Sequence, residues 1–335
     1  MIRPLLLSLA LLTITAEAHA IEPLPPAQQA IFMGSREDKP AELLNGVTAS
    51  QIGRHYVTGN EWNLHLFYSR VRDLGGGYVG VGADQAYLFI GWQKPELAWL
   101  IDYDSWVVDT HKIYQAFFLA AATPEEFMRL WTLEARVEAE RAISLHFPKA
   151  APRIIPLLRL YRAKILLRLT KVRDGALAAN VPTFMSDPAM YTWVREFVRA
   201  GRTRPMVADL LAKKGIRGIS KAAEQLGVPI RIFYMSNAEE YWDYTPDFRK
   251  NLAATFHDAQ SLIVRTCLTW LRNQDYRYVV QTIDNYLGWL SKPWVVNVTT
   301  MIKYRSDDSK DVELFVMDKS ADDEEGARRT KGQLK

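Results

Sequence analysis

Residues 75–104, GGGYVGVGADQAYLFIGWQKPELAWLIDYD, decide how this chain is read. Glycines crowd before and inside a first apolar run, Tyr78 to Gly82, and a second run, Ala98 to Asp102, ends in acid. Runs of this length, with turn residues between them, fit two short buried strands. Two readings compete. In the first, the glycines only make a tight turn. In the second, they let the backbone approach a ligand and the following helix start offers unpaired N–H groups. An acid at the end of the second strand then takes a ribose diol. Gly80-x-Gly82 and Asp102, 20 residues beyond Gly82, have the spacing the second reading needs. Gln85 replaces the third glycine of a dinucleotide fingerprint, and Asp84 would meet a pyrophosphate with like charge. A nicotinamide dinucleotide is therefore disfavoured. S-adenosylmethionine carries no phosphate, so an acid in this loop is tolerable and attracts the ligand's amino group.

Outward from this stretch, the pattern alternates strand and helix. Upstream, 41–56 and 60–75 carry the spacing of two short helices. Downstream, Asp104 or Ser105 caps a helix, and Pro124-Glu125-Glu126 starts another. Residues 125–173 are nearly continuous helix former, and Asp187-Pro188 opens a further helix. RPMVADLL is a short apolar segment, KKGIRGISKAAEQLGVP a helix, and IRIFYMSN a β-rich run. A strand at Ser261–Arg265 follows, and 293–304 with 311–317 read as a terminal strand pair. The tail 318–335 has little to bury and is expected to be disordered. The order predicts an α/β fold: a Rossmann-like, mostly parallel sheet flanked by helices, forming one domain over 40–317 with a helical insertion at about 123–200.

The 335 residues carry a formal net charge of +4 and a single cysteine, Cys267. An intramolecular disulfide and a zinc site with two or more cysteines are excluded. The mild charge gives no support to nucleic-acid binding. Residues 1–20 have Arg3, an apolar stretch from Leu5 to Ile14 and an Ala18-His19-Ala20 end, the pattern of a secretory signal cleaved after Ala20. Residues 21–39 then read as a Pro-rich leader, and the mature chain as periplasmic or secreted.

YVGVGADQAYLFIGWQKPELAWLIDYD together with IRIFYMSNAEEYW resembles a family of mostly uncharacterised bacterial proteins with a class I S-adenosylmethionine-dependent methyltransferase-like fold. The resemblance covers roughly 75–270. It implies a Rossmann-like sheet with cofactor contacts from Gly80, Gly82, Asp84, Gln85 and Asp102. It also places Asp209 at the end of the third strand, near an adenine, and Ser236 and Asn237 at the end of the fourth, where polar groups orient substrate.

Methyl transfer needs alignment and a dry site, with a base only where the acceptor must lose a proton. In YMSNAEEYW, Asn237 suits an acceptor amine or hydroxyl, Glu239 suits a base, and Ser236 stands beside them. The competing structural reading makes Ser236 or Asn237 a helix cap and Glu239 a partner of the helix dipole. The histidines show no metal-ligand spacing and no G-x-S-x-G elbow is present. Cys267 reads as a buried thiol, and Asn297-Val298-Thr299 as a chance sequon. The basic run 153–173 suits either a membrane-surface helix or a helix with one solvated face. Two functions remain: a methyltransferase that acts on a small molecule or a protein side chain and either stays inside or meets exported cofactor, or an exported, catalytically silent relative that uses the same crevice to bind another ligand or a partner. The signal and the cofactor conflict, because S-adenosylmethionine is a cytosolic metabolite.

Overall fold

A computed structural model describes residues 21–44, 49–268, 275–304 and 314–331. The signal expected at 1–20 lies outside them. The helices are α1 (Pro26–Met33), α2 (Tyr68–Val71, after a 3₁₀ turn at Leu64–Phe67), α3 (Asp84–Gln93), α4 (Ser105–Ala120), α5 (Pro124–Leu130), α6 (Arg136–His146), α7 (Ala151–Ala178), α8 (Pro188–Arg199), α9 (Gly215–Leu226), α10 (Pro246–Ala253), α11 (Ile283–Leu290), α12 (Val298–Ile302) and α13 (Ala321–Thr330). The strands are β1 (Gly77–Val81), β2 (Leu97–Asp102), β3 (Thr203–Val207), β4 (Ile230–Ser236), β5 (Leu262–Leu268), β6 (Tyr276–Thr282) and β7 (Leu314–Met317). They form one sheet in the order β3-β2-β1-β4-β5-β6-β7. The five strands from β3 to β5 are parallel; β6 runs antiparallel to β5 and β7 parallel to β6. The mostly parallel α/β architecture expected from the alternation is present, and α5 to α8 form the helical insertion between α4 and β3.

β1 and β2 are apolar up to the acid that ends β2 because both faces of the sheet are covered. Alternate residues divide between two cores: Tyr78, Leu100 and Tyr234 face α3, α4 and α7, while Val79, Trp99 and Phe233 face α9 to α11. Between the two strands lies α3, whose ten residues are all buried. A helix apolar on every side fills an interior position, and its sequence carries no one-sided stripe to separate it from a loop between buried strands.

Four expectations are corrected. First, 21–39 is no free leader. Phe32 of α1 is fully buried, its ring 5.1 Å from Trp99, and Arg204 reaches the carbonyls of Phe32 and Ser35. Second, among the described residues 41–63 contain no helix; helical turns begin only at Leu64. Third, 298–302 is a short helix capped by Asn297, and the partner of β7 is β6. YRYVVQT supplies that strand, with Tyr278, Val279 and Val280 buried on the sheet. Fourth, 321–330 is helical. Ser320 caps it, Ala321 is buried, and Lys292 pairs with Glu325 at 2.6 Å, so a polar tail gains order from one buried end and a few ion pairs.

Candidate functional site

At the carboxyl ends of the strands, where β1 has β2 on one side and β4 on the other, lies a crevice of about 1100 Å³ including its open mouth. In open α/β sheets a ligand site belongs at this reversal of strand order, where loops diverge and leave space. Gly82 and Gln85 come from the β1 turn, Asp102 and Asp104 from the end of β2, Asp209 from beyond β3, and Ser236 and Asn237 from the end of β4. The loop 54–60 contributes Arg54, Tyr56 and Asn60. Tyr241 and Trp242 complete an aromatic side.

Gly82 has φ +93°, a conformation glycine adopts without steric cost, and a Cβ there would stand 2.6 Å from the Gln85 side chain. Its carbonyl accepts from His111 Nε2 at 2.8 Å. His111 is fully buried, and desolvation pulls its pKa down to about 4, so the ring is neutral and carries its proton on Nε2 toward Gly82. Gln85 Oε1 has no hydrogen-bond partner.

Asp102 is 7% exposed, and desolvation pushes its pKa up to about 7. The Asp104 amide donates to it at 2.9 Å and partly offsets that rise, while the Asp104 charge adds to it. Asp104 caps α4 by accepting from the Trp106 amide and also takes His55 Nδ1 at 2.8 Å; the His55 ring stacks on Trp106 at 3.9 Å. Burial raises the pKa of Asp209, and the neighbouring Asp38 carboxylate adds to the rise. Asp38 itself accepts from the amides of Asp209 and Gly215, so the chain before the sheet braces the β3 loop and the start of α9.

Three residues singled out in the sequence lie away from the crevice wall. Gly80 is inside β1, where a Cβ would overlap the Tyr78 ring, so packing accounts for this glycine. Asp84 is 1% exposed; it accepts from the Gly59 amide at 2.7 Å and pairs with Arg168 of the insertion at 2.8 Å. Glu239 is 2% exposed and accepts from the hydroxyls of Tyr244 and Tyr286. Arg265 Nε lies 3.4 Å from its other oxygen, an ion-pair distance at an angle that makes no hydrogen bond.

Glu61 carries no signal in the sequence, yet it organises the crevice floor. It is fully buried, and Oε1 accepts from Tyr234 at 3.1 Å, Thr266 at 3.3 Å and Ser236. Its backbone carbonyl takes Arg168. A lone acid between Asn60 and Trp62 has no periodic context, and its partners come from strands more than 170 residues away. Arg168 is hidden for a similar reason, lying in a basic run that suits a solvated face. Arg162 and Arg168 of that run are buried, while Arg153 pairs with Asp109 and Arg159 with Glu140. Among the described residues no helix is long and apolar enough to cross a membrane, and no cluster of three or more His, Cys, Asp or Glu side chains could hold a metal ion.

The model of a family described as a domain of unknown function, DUF7790, matches residues 56–322, and the chain belongs to that family. No curated protein matches the chain significantly.

Proposed function

We propose that the crevice binds S-adenosylmethionine and that the protein is a methyltransferase acting on a small molecule, in the same compartment as the product of signal cleavage after Ala20. The observation that carries this reading is the convergence of Gly82, Asp102 and Asp209, from three separate loops, on one crevice at the reversal of strand order. The donor set fits a nucleoside with a cationic arm. Asp102 is placed for a ribose diol, Asp209 for an adenine edge, and three lining carboxylates suit positive charge. When bound, the cofactor supplies an electrophilic methyl group. The chain's own part is to hold the two reactants in line and exclude water. Gly82 lets the backbone come close, the 54–60 loop supplies part of the wall, and the end of β4 is the side offered to the acceptor.

A second reading is favoured by one observation. Glu239 is held in the Arg265 centre and does not face the crevice, so the base expected from the sequence is not available. In that reading the exported protein binds a ligand or partner in the same crevice without methyl transfer.

Titration calorimetry of the mature protein separates the two readings. S-adenosylmethionine and S-adenosylhomocysteine are expected to bind, and at pH 8, where Asp102 is ionised, Asp102→Ala is expected to weaken both by at least about tenfold, the loss of hydrogen bonds to a charged group. No heat at millimolar ligand would remove the methyltransferase and leave the second reading.

A further inference from the structure

Ser236 is the residue at the end of β4 that lines the crevice, and its environment fixes what it can offer a ligand. A hydroxyl has one proton and two lone pairs. Here the proton is committed: Ser236 Oγ donates to Glu61 Oε1, a fully buried oxygen on which the Tyr234 and Thr266 hydroxyls converge as well. The backbone holds this arrangement through a register shift between Tyr234 and Ser236 and through φ +52° at Ser236, a conformation that non-glycine residues rarely adopt. A strained strand end of this kind persists only where the surroundings enforce it. Glu61 is enforced in turn by Tyr234, Thr266 and the Arg168 bond to its carbonyl.

With its proton spent, Ser236 faces the crevice as an acceptor. The carboxylates of Asp102 and Asp209 at the neighbouring strand ends are acceptors as well, and Arg54 is the one cationic side chain on the crevice wall among the described residues. We infer that Glu61 makes Ser236 an obligate hydrogen-bond acceptor, so that the molecule sharing the crevice with the nucleoside presents an N–H donor there: an amine, carried on a ring or chain apolar enough to lie against Tyr56, Tyr241 and Trp242. A carboxylate in the same place would set its lone pairs against those of Ser236 and its charge against the aspartates. This inference rests on the methyl-donor reading for the occupant of the other half of the crevice, but the preference for an amine is measurable without it.

The test uses tyramine and 4-hydroxyphenylacetate, an aromatic amine and a carboxylate of nearly the same size. Each is titrated into the mature protein with and without S-adenosylhomocysteine. Tyramine is expected to bind at least tenfold more tightly than the carboxylate. Ser236→Gly removes the hydroxyl while suiting the positive φ, so the fold is retained, which thermal melting checks. That variant is expected to bind tyramine about tenfold more weakly, one hydrogen bond to a charged donor, with S-adenosylhomocysteine affinity unchanged within about twofold. Equal binding of the two probes, no tyramine binding to the wild type, or undiminished tyramine binding by Ser236→Gly would each overturn the inference. Absence of S-adenosylhomocysteine binding alone overturns the cofactor reading and leaves the amine result to stand or fall on the titrations without it.

Discussion

Arg168 and Arg265 are both almost wholly buried, and each stands against carboxylates beside the central strands, yet the side chain of only one of them is linked through its partners to residues that line the crevice. Arg168 comes from α7 and ties together Asp84 at the start of α3 and the Glu61 carbonyl. Through Asp84 it fixes the Gly59 amide, and through Glu61 it bears on Ser236; Gly59 and Ser236 both line the crevice. Arg265 sits on β5, where its backbone lies beside that of Ser236, but its side chain is placed between Glu239, Gln281 and the Tyr286 ring, none of which lines the crevice. Asp84 and Glu239 look alike in the sequence, acids just after glycine-rich or polar strand ends. Of the three acids that line the crevice, Asp104 pairs with His55, whereas Asp102 and Asp209 have no ion-pair partner among the described residues, and burial raises the pKa of both. A buried cation nearby turns an acid inward into structure. An acid without one is left for a ligand.

Removing the cations tests this contrast most strongly. Arg168→Met and Arg265→Met each leave a buried carboxylate unpaired and are expected to cost about 3–5 kcal/mol in denaturant unfolding. Arg168→Met is also expected to weaken S-adenosylhomocysteine binding by tenfold or more, with Arg265→Met leaving it unchanged at a temperature where both are folded. Equal loss of affinity in the two variants breaks the comparison.

Asp102→Asn sharpens it. The folded protein keeps a proton on Asp102 up to about pH 7, whereas the unfolded chain loses it near the ordinary aspartate value. This residue's contribution to stability is therefore fully present below about pH 4 and is lost as pH rises toward 7, a change of up to about 4 kcal/mol. Asn cannot ionise, so the variant should gain on the wild type over that window and keep the gain at pH 8. His111 acts in the opposite direction: with its pKa lowered to about 4, its contribution is present above the ordinary histidine value and is lost on acidification. The two partly cancel in the wild type, so Asp102→Asn should uncover a steeper loss of stability below about pH 6.5. Ligand affinity should rise about tenfold from pH 6 to pH 8 in the wild type as Asp102 ionises, and be weak and flat in the variant. A variant that is both less stable and equally tight at pH 8 refutes the role given to this acid.

The smallest effect is expected at the surface. Arg159 is more than half exposed and pairs with Glu140, so Arg159→Gln should leave the melting temperature unchanged within error and ligand affinity untouched. A clear loss of stability there would mean that the basic face of α7 is more tightly built than its exposure indicates.

The sheet was legible because buried parallel strands are short, apolar and bounded by turn residues, and helices such as α8 and α9 announce themselves by caps and one-sided apolar spacing. β6 escaped because its tyrosines, arginine and glutamine dilute the apolar run, and α3 because a helix buried on all sides loses its amphipathic stripe. The amino-acid sequence by itself thus determined the architecture and the candidates at the strand ends: Gly82, Gln85, Asp102, Asp209, Ser236 and Asn237 all meet in the crevice. Only the tertiary structure decided which charges stay open to a ligand. Whether an acid is neutralised depends on cations delivered from other segments, Arg168 to Asp84 across 84 residues and Arg265 to Glu239 from the neighbouring strand, and no local pattern in the chain records those encounters.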